Sequence, residues 1–192
     1  MADLAVFASG KGSNFVALAE RLRGAGRHRL TVLVCDVRGA PVLDRARELG
    51  IPARVVPYRG RSRADAEADL LEVLREHRAD VVALAGFMRL LTPFFLSRFA
   101  GPVLNLHPSL LPKYPGTHGI EESFRSADRE LGISVIRVDE GVDTGPVVLQ
   151  RSFARTGTES LEEIERRIHD LEHEWVPVAV LQALDDLDGG AA

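Results

Sequence analysis

The chain of 192 residues has the length of one domain, long enough to bury a core without a disulfide staple. Apolar residues make up 45% and charged residues 27%, with 10 prolines and 17 glycines, a composition that excludes a fibre and a largely disordered chain. A formal net charge of −4 leaves no chain-wide basic field for nucleic acid, and the single cysteine, Cys35, excludes an intramolecular disulfide and a Cys-based zinc site.

Leu4 to Ala8 is a short apolar run that predicts a strand, followed by the turn Ser9-Gly10-Lys11-Gly12-Ser13-Asn14 and a helix beginning with Phe15 to Glu20. Leu30 to Cys35 has the composition of a strand buried on both faces, and Pro41 to Leu49 a helix with Pro at its start and Gly50 at its stop. A brief strand is expected at Val55-Val56, a helix over Ala64 to His77, and a strand over Val81 to Ala85. Thr92-Pro93 opens a short helix through Phe99, and Val103 to His107 is the next strand. Strands alternating with helices predict an open α/β fold: a mostly parallel, twisted sheet with helices on both faces.

Beyond His107 the pattern changes, because Pro108, Pro112, Pro115 and Gly116 forbid regular structure there. Ile120 to Ser126 reads as a helix, Ser134 to Val138 and Val147 to Phe153 as strands around the loop Gly141 to Gly145, which together suggest an antiparallel extension. Leu161, Ile164, Ile168, Leu171 and Trp175 mark one face of a final helix, with Ser160 and Glu163 spaced as a capping box and Pro177 expected to kink or end it. One domain is expected over residues 1–186, with a frayed tail from Leu187 to Ala192. The start carries no basic leader, and the longest apolar stretch, Val81 to Met88, is far below the roughly 20 residues of a membrane span. A cytoplasmic location with neither membrane nor nucleic-acid partner is therefore expected.

The turn before the first helix is where backbone N–H groups and the helix dipole can hold an anion. It is no Walker loop, and Phe15 occupies the third-glycine place of the dinucleotide pattern, so a plain glycine turn stays open beside phosphate binding. Asn105 and His107, two apart on one strand, share a side at the edge where open α/β sheets bind ligands. Imidazole and carboxamide could stabilise an oxyanion and protonate a leaving amine, although a histidine satisfied by backbone is the plainer alternative. Asp143, flanked by Gly141 and Gly145, could reach His107 and favour its imidazolium form, or simply bond its own turn. His169-Asp170-Leu171-Glu172-His173 has the spacing of a zinc-binding helix, yet no Cys or His follows to complete a ligand set, and the alternative is a surface helix face. Cys35 reads as a small buried hydrophobe.

Asn105 to Gly116, reading NLHPSLLPKYPG, together with Asp139 to Pro146, reading DEGVDTGP, resembles the folate-dependent formyltransferases. With Ser9 to Asn14 and Ala85 to Leu91 added, the chain is most similar within them to the phosphoribosylglycinamide formyltransferases, over its length from first strand to last helix. The relatives with a further C-terminal domain or an N-terminal regulatory domain are longer than this chain. The resemblance implies a Rossmann-like formyltransferase fold, with formyl transfer from 10-formyltetrahydrofolate to the amine of glycinamide ribonucleotide in purine synthesis. It also implies a monomer or homodimer acting on these two small molecules, with no metal. By the same resemblance Asn105, His107 and Asp143 are the catalytic set, and Gly12, Ser13, Asn14 and Glu172 hold the ribonucleotide. Arg63, Met88, Arg89, Leu90 and Leu91, with Asn105 and the loop Asp139, Glu140, Gly141, Val142 and Asp143, line the folate pocket. His169 departs from the family pattern, standing where a glutamine or another phosphate-side donor is expected. Two rivals remain: a formyltetrahydrofolate hydrolase using the same three residues, and a non-catalytic nucleotide binder.

Overall fold

The structure is a computed structural model and describes residues 1–189. Its elements in chain order are β1 (Asp3–Phe7), α1 (Ser13–Ala25), β2 (Arg29–Cys35), α2 (Pro41–Leu49), β3 (Ala53–Val55), α3 (Arg63–Glu76) and β4 (Val81–Leu84). The second half adds α4 (Pro93–Leu96), β5 (Val103–His107), α5 (Gly119–Arg125), β6 (Glu130–Arg137), β7 (Val147–Ala154) and α6 (Leu161–Gly189). One seven-stranded sheet runs in the order β3-β2-β1-β4-β5-β6-β7. β1 to β5 are parallel, and β6 and β7 complete the sheet as antiparallel strands.

The apolar strands follow from burial on both faces. In β1, Leu4 and Val6 pack on one side with α1, α2 and α6, while Ala5 and Phe7 pack on the other with α3 and α4. The chain runs outward from β1 to β2 and β3 with α1 and α2 on one face, then crosses after β3 to β4 on the other side of β1 with α3 on the opposite face, so a crevice opens beyond the carboxyl ends of β1 and β4.

Several boundaries differ from expectation. β3 is Ala53–Val55, earlier than Val55-Val56, and α4 is a single turn that ends at Leu96, short of Phe99. β6 starts at Glu130, four residues before Ser134, because pairing with β7 recruits Gly132, where an added Cβ would lie 2.0 Å from the Arg151 carbonyl oxygen.

The final helix is entered as anticipated. The Glu163 N–H donates to Ser160 Oγ at 3.2 Å, and the Ser160 N–H donates to Glu163 Oε2 at 2.7 Å. Pro177 does not end this helix, and Leu187 to Gly189 are helical where a frayed tail was expected. An interior proline costs about 3 kcal/mol. Val176, Ala179, Val180 and Leu184 are buried around it against the sheet, and at about 1.5–3 kcal/mol for each large side chain their burial outweighs that cost. The remaining residues of the expected tail, 190–192, lie outside the described residues.

Candidate active site

His107 ends β5 and Asn105 precedes it by two, so both side chains leave the same side of the strand. The connection after β6 starts beside β5, where the Val138 N–H donates to the Val103 carbonyl at 2.8 Å, then folds across the strand. This brings Asp143, from 38 residues further along the chain, to Asn105: the carboxamide Nδ2 donates to Asp143 Oδ1 at 3.2 Å. Asp143 Oδ2 lies 3.3 Å from His107 Nδ1 and accepts the Gly116 N–H at 2.8 Å. Asp143 has φ 54°, a left-handed conformation that Asp tolerates better than most side chains. Asp139 shapes the same loop, its Oδ1 accepting from the Gly141 N–H at 3.0 Å and from Thr144 Oγ1 at 2.8 Å.

His107 is 2% exposed, and its second nitrogen, Nε2, lies 2.7 Å from the Tyr114 carbonyl oxygen. A carbonyl can only accept, so Nε2 carries a proton and Nδ1 is the nitrogen turned to Asp143. At 3.3 Å from Nδ1, the Asp143 carboxylate forms an ion pair with the ring whenever the ring carries its second proton. The proline-rich loop supports this geometry from behind. Ser109 Oγ donates to the Lys113 carbonyl at 2.7 Å, and Ser134 Oγ bridges from the Leu111 N–H at 3.0 Å to the Ser109 carbonyl at 2.7 Å. Gly119 also keeps the ring in place: a Cβ there would come within 3.2 Å of His107 Nε2.

Asn105, His107 and Asp143 line a cavity of about 230 Å³. Its other wall is the segment after β4, including Gly86, Met88, Arg89, Leu90 and Leu91, and its rim includes Asp139, Gly141 and Val142. Met88 and Leu90 are exposed at 64% and 55%, leaving apolar side chains at the mouth of the cavity. Arg63 and Glu140 are exposed and stand outside this wall.

The other half of the crevice is at the start of α1. Gly12 caps the helix with φ 78°, and a Cβ there would lie 2.4 Å from Val42 Cγ2, so only glycine lets α1 and α2 approach this closely. The α1 N-terminus has no acidic residue in its first turn and no side-chain cap, which leaves its field uncompensated for an anion. Asn14 Nδ2 donates to Glu172 Oε2 at 2.9 Å, and His169 Nδ1 lies 2.9 Å from the same oxygen. Glu172 is 4% exposed, turned inward from α6. Its hydrogen bond raises the affinity of His169 for its proton, against the opposing effect of burial. Asn14 Oδ1 is buried without a partner. His173 stacks on His169 with ring centroids 6.4 Å apart and borders a cleft with Lys11, Ser13 and Arg45. Among the described residues no three His, Cys, Asp or Glu side chains stand close enough to share a metal ion.

Residues 2–180 match the formyl transferase family. The chain belongs to that family. Among its curated formyltransferase relatives, phosphoribosylglycinamide formyltransferase of Bacillus subtilis (strain 168) is 41% identical over 96% of this chain and 95% of its own. The enzyme of the same name from Escherichia coli (strain K12) is 35% identical over 93% and 85%. The crystal structure of glycinamide ribonucleotide transformylase 1 from Geobacillus kaustophilus superposes with a TM-score of 0.90 at 42% identity, covering 96% of this chain and 99% of that one. Among the described residues no helix is long and apolar enough to cross a membrane.

Sequence reasoning missed the Tyr114 carbonyl, the Gly116 N–H and Asp36, whose buried carboxylate accepts from Ser9 Oγ and from Arg89 Nε in the cavity wall. The first two are backbone groups, on which residue identity is silent. Asp36 did leave a signal, as an acid directly after an apolar strand at the sheet's carboxyl edge.

Proposed function

We propose that this formyltransferase moves the formyl group of 10-formyltetrahydrofolate to the amine of glycinamide ribonucleotide, releasing tetrahydrofolate; its relatives' names give phosphoribosylglycinamide as the group that is formylated. The observation that carries the reading is the convergence of Asn105 and His107 on Asp143, at 3.2 and 3.3 Å, in the wall of the cavity. The ribonucleotide phosphate sits at Gly12, Ser13 and Asn14, where the helix start attracts it, with Glu172 toward the ribose. The folate ring enters between Met88 to Leu91 and the loop Asp139 to Asp143, Arg63 and Glu140 approaching only the ligand's outer end.

The amine nitrogen attacks the formyl carbon, a C–N bond forms, and the carbonyl oxygen becomes an oxyanion. One hydrogen of the Asn105 amide is committed to Asp143, leaving the other to donate to that oxygen beside the His107 imidazolium. Asp143 accepts the proton released by the attacking nitrogen, directly or through water, and a proton is returned to the folate nitrogen as its C–N bond breaks. The products are the formylated amine and tetrahydrofolate, with no net change in the enzyme. No metal is required by this route. The reading places the protein in the cytoplasm, as a monomer or homodimer acting on two small molecules.

The test is an absorbance assay for tetrahydrofolate release with each substrate omitted in turn. Release only when glycinamide ribonucleotide is present supports the transfer, release without it identifies a hydrolase, and no release with both identifies a binding protein.

A further inference from the structure

We infer that Asp36 is a positioning residue that fixes the folate wall of the cavity and ties it to the ribonucleotide loop; this rests on the substrate assignment proposed above. Asp36 follows β2, Ser9 follows β1 and the wall segment follows β4, so three adjacent strands deliver these residues to one edge of the sheet. The Asp36 side chain is 1% exposed. Its Oδ1 accepts from Ser9 Oγ at 2.5 Å, and its Oδ2 accepts from Arg89 Nε at 2.6 Å. The Ser9 hydroxyl has a single hydrogen, and Asp36 takes it, which turns the oxygen's lone pair to the Met88 N–H at 3.0 Å. The bonds close a ring from Ser9 through Asp36 and Arg89 to Met88 and back to Ser9. A second strut runs from the Ser9 N–H to the Gly86 carbonyl at 3.1 Å.

The wall needs such support. Residues 86–91 form neither helix nor strand, so no ladder of backbone bonds sets their path. Arg89 is additionally laid over the Tyr58 ring, its guanidinium carbon 5.4 Å from the centroid. The same ring of bonds begins at the first residue of the Ser9 to Asn14 turn, so displacing either substrate's side strains the other. An asparagine at position 36 keeps the shape but offers one acceptor oxygen where two donors point, and its amide N–H₂ must then face either Arg89 or Ser9.

The test compares the unsubstituted protein with Asp36→Asn, Ser9→Ala and the double variant, measuring kcat and KM for both substrates, the pH profile of kcat and the melting temperature. For Asp36→Asn the expectation is a rise of about tenfold in the folate KM, a smaller rise in the ribonucleotide KM, and a kcat within about threefold on an unshifted pH profile. Ser9→Ala should raise the same folate KM less, and the double variant should cost less than the product of the single effects, since both break one ring. An unchanged folate KM in Asp36→Asn, multiplicative effects in the double variant, or a loss confined to kcat would each overturn the positioning role. Should Asp36→Asn not fold, Ser9→Ala decides: an unchanged folate KM there overturns it equally. Absence of formyl transfer in the unsubstituted protein would instead overturn the proposed function, a result separable from any of these.

Discussion

The two halves of the crevice hold their chemistry in opposite ways. Around His107 the polar groups are held largely by partners inside the protein, with Asp143 serving an amide, an imidazole and a backbone N–H at once. At the start of α1, Ser13 is exposed and the helix end is uncapped, so its donors are left for something outside the chain. The difference teaches that reacting groups are held by preorganisation, whereas an anion is met by a field and a set of unsatisfied donors. Loss at the first half should therefore appear in turnover, and loss at the second in affinity.

The largest expected effect is His107→Ala, which should lower kcat by roughly 10²–10⁴-fold with the fold retained by circular dichroism. A kcat within a few-fold of the unsubstituted protein would break the contrast at once. Asp143→Asn should follow, with a fall of about 10²-fold or more, because an amide neither accepts the proton nor supplies the negative charge that pairs with the His107 imidazolium. Steady-state kinetics with both substrates saturating separates this from weakened binding.

Gly12→Ala sharpens the contrast from the other side. With φ 78° and a Cβ 2.4 Å from Val42 Cγ2, it should destabilise the protein by about 1–3 kcal/mol in urea titration and raise the ribonucleotide KM more than it lowers kcat. Asn14→Ala should raise the ribonucleotide KM by about tenfold, the loss of one hydrogen-bonding group, with kcat nearly unchanged.

The smallest effect concerns pH. The hydrogen bond to Glu172 raises the pKa of His169, so its positive charge is present below that pKa and is lost as pH rises through it. Attraction for the phosphate, and the part of folded-state stability due to this pair, should fade in the same direction. The ribonucleotide KM is expected to rise a few-fold between about pH 6 and pH 8 and to lose that component in His169→Ala. A dependence unchanged in that variant would assign the titration elsewhere.

Much of the architecture was legible before any coordinates. Strands such as Leu30 to Cys35 are apolar on both faces because helices cover both, so the parallel sheet is written in composition. The antiparallel pair was legible as strands but not in extent, since Gly132 enters β6 only through its partner. Pro177 misled because local backbone cost was weighed without the core around it.

The amino-acid sequence determined by itself which groups are available: a glycine turn before the first helix, an imidazole and an amide on one strand side, and an acid in a later turn. Only the tertiary structure decided that Asp143 crosses 38 residues to meet Asn105, that a Tyr114 carbonyl fixes which nitrogen of His107 carries its proton, and that Asp36 joins three strand ends. The physical reason is that periodicity and propensity are local, whereas hydrogen bonds to backbone atoms and contacts across the sheet depend on where distant segments arrive.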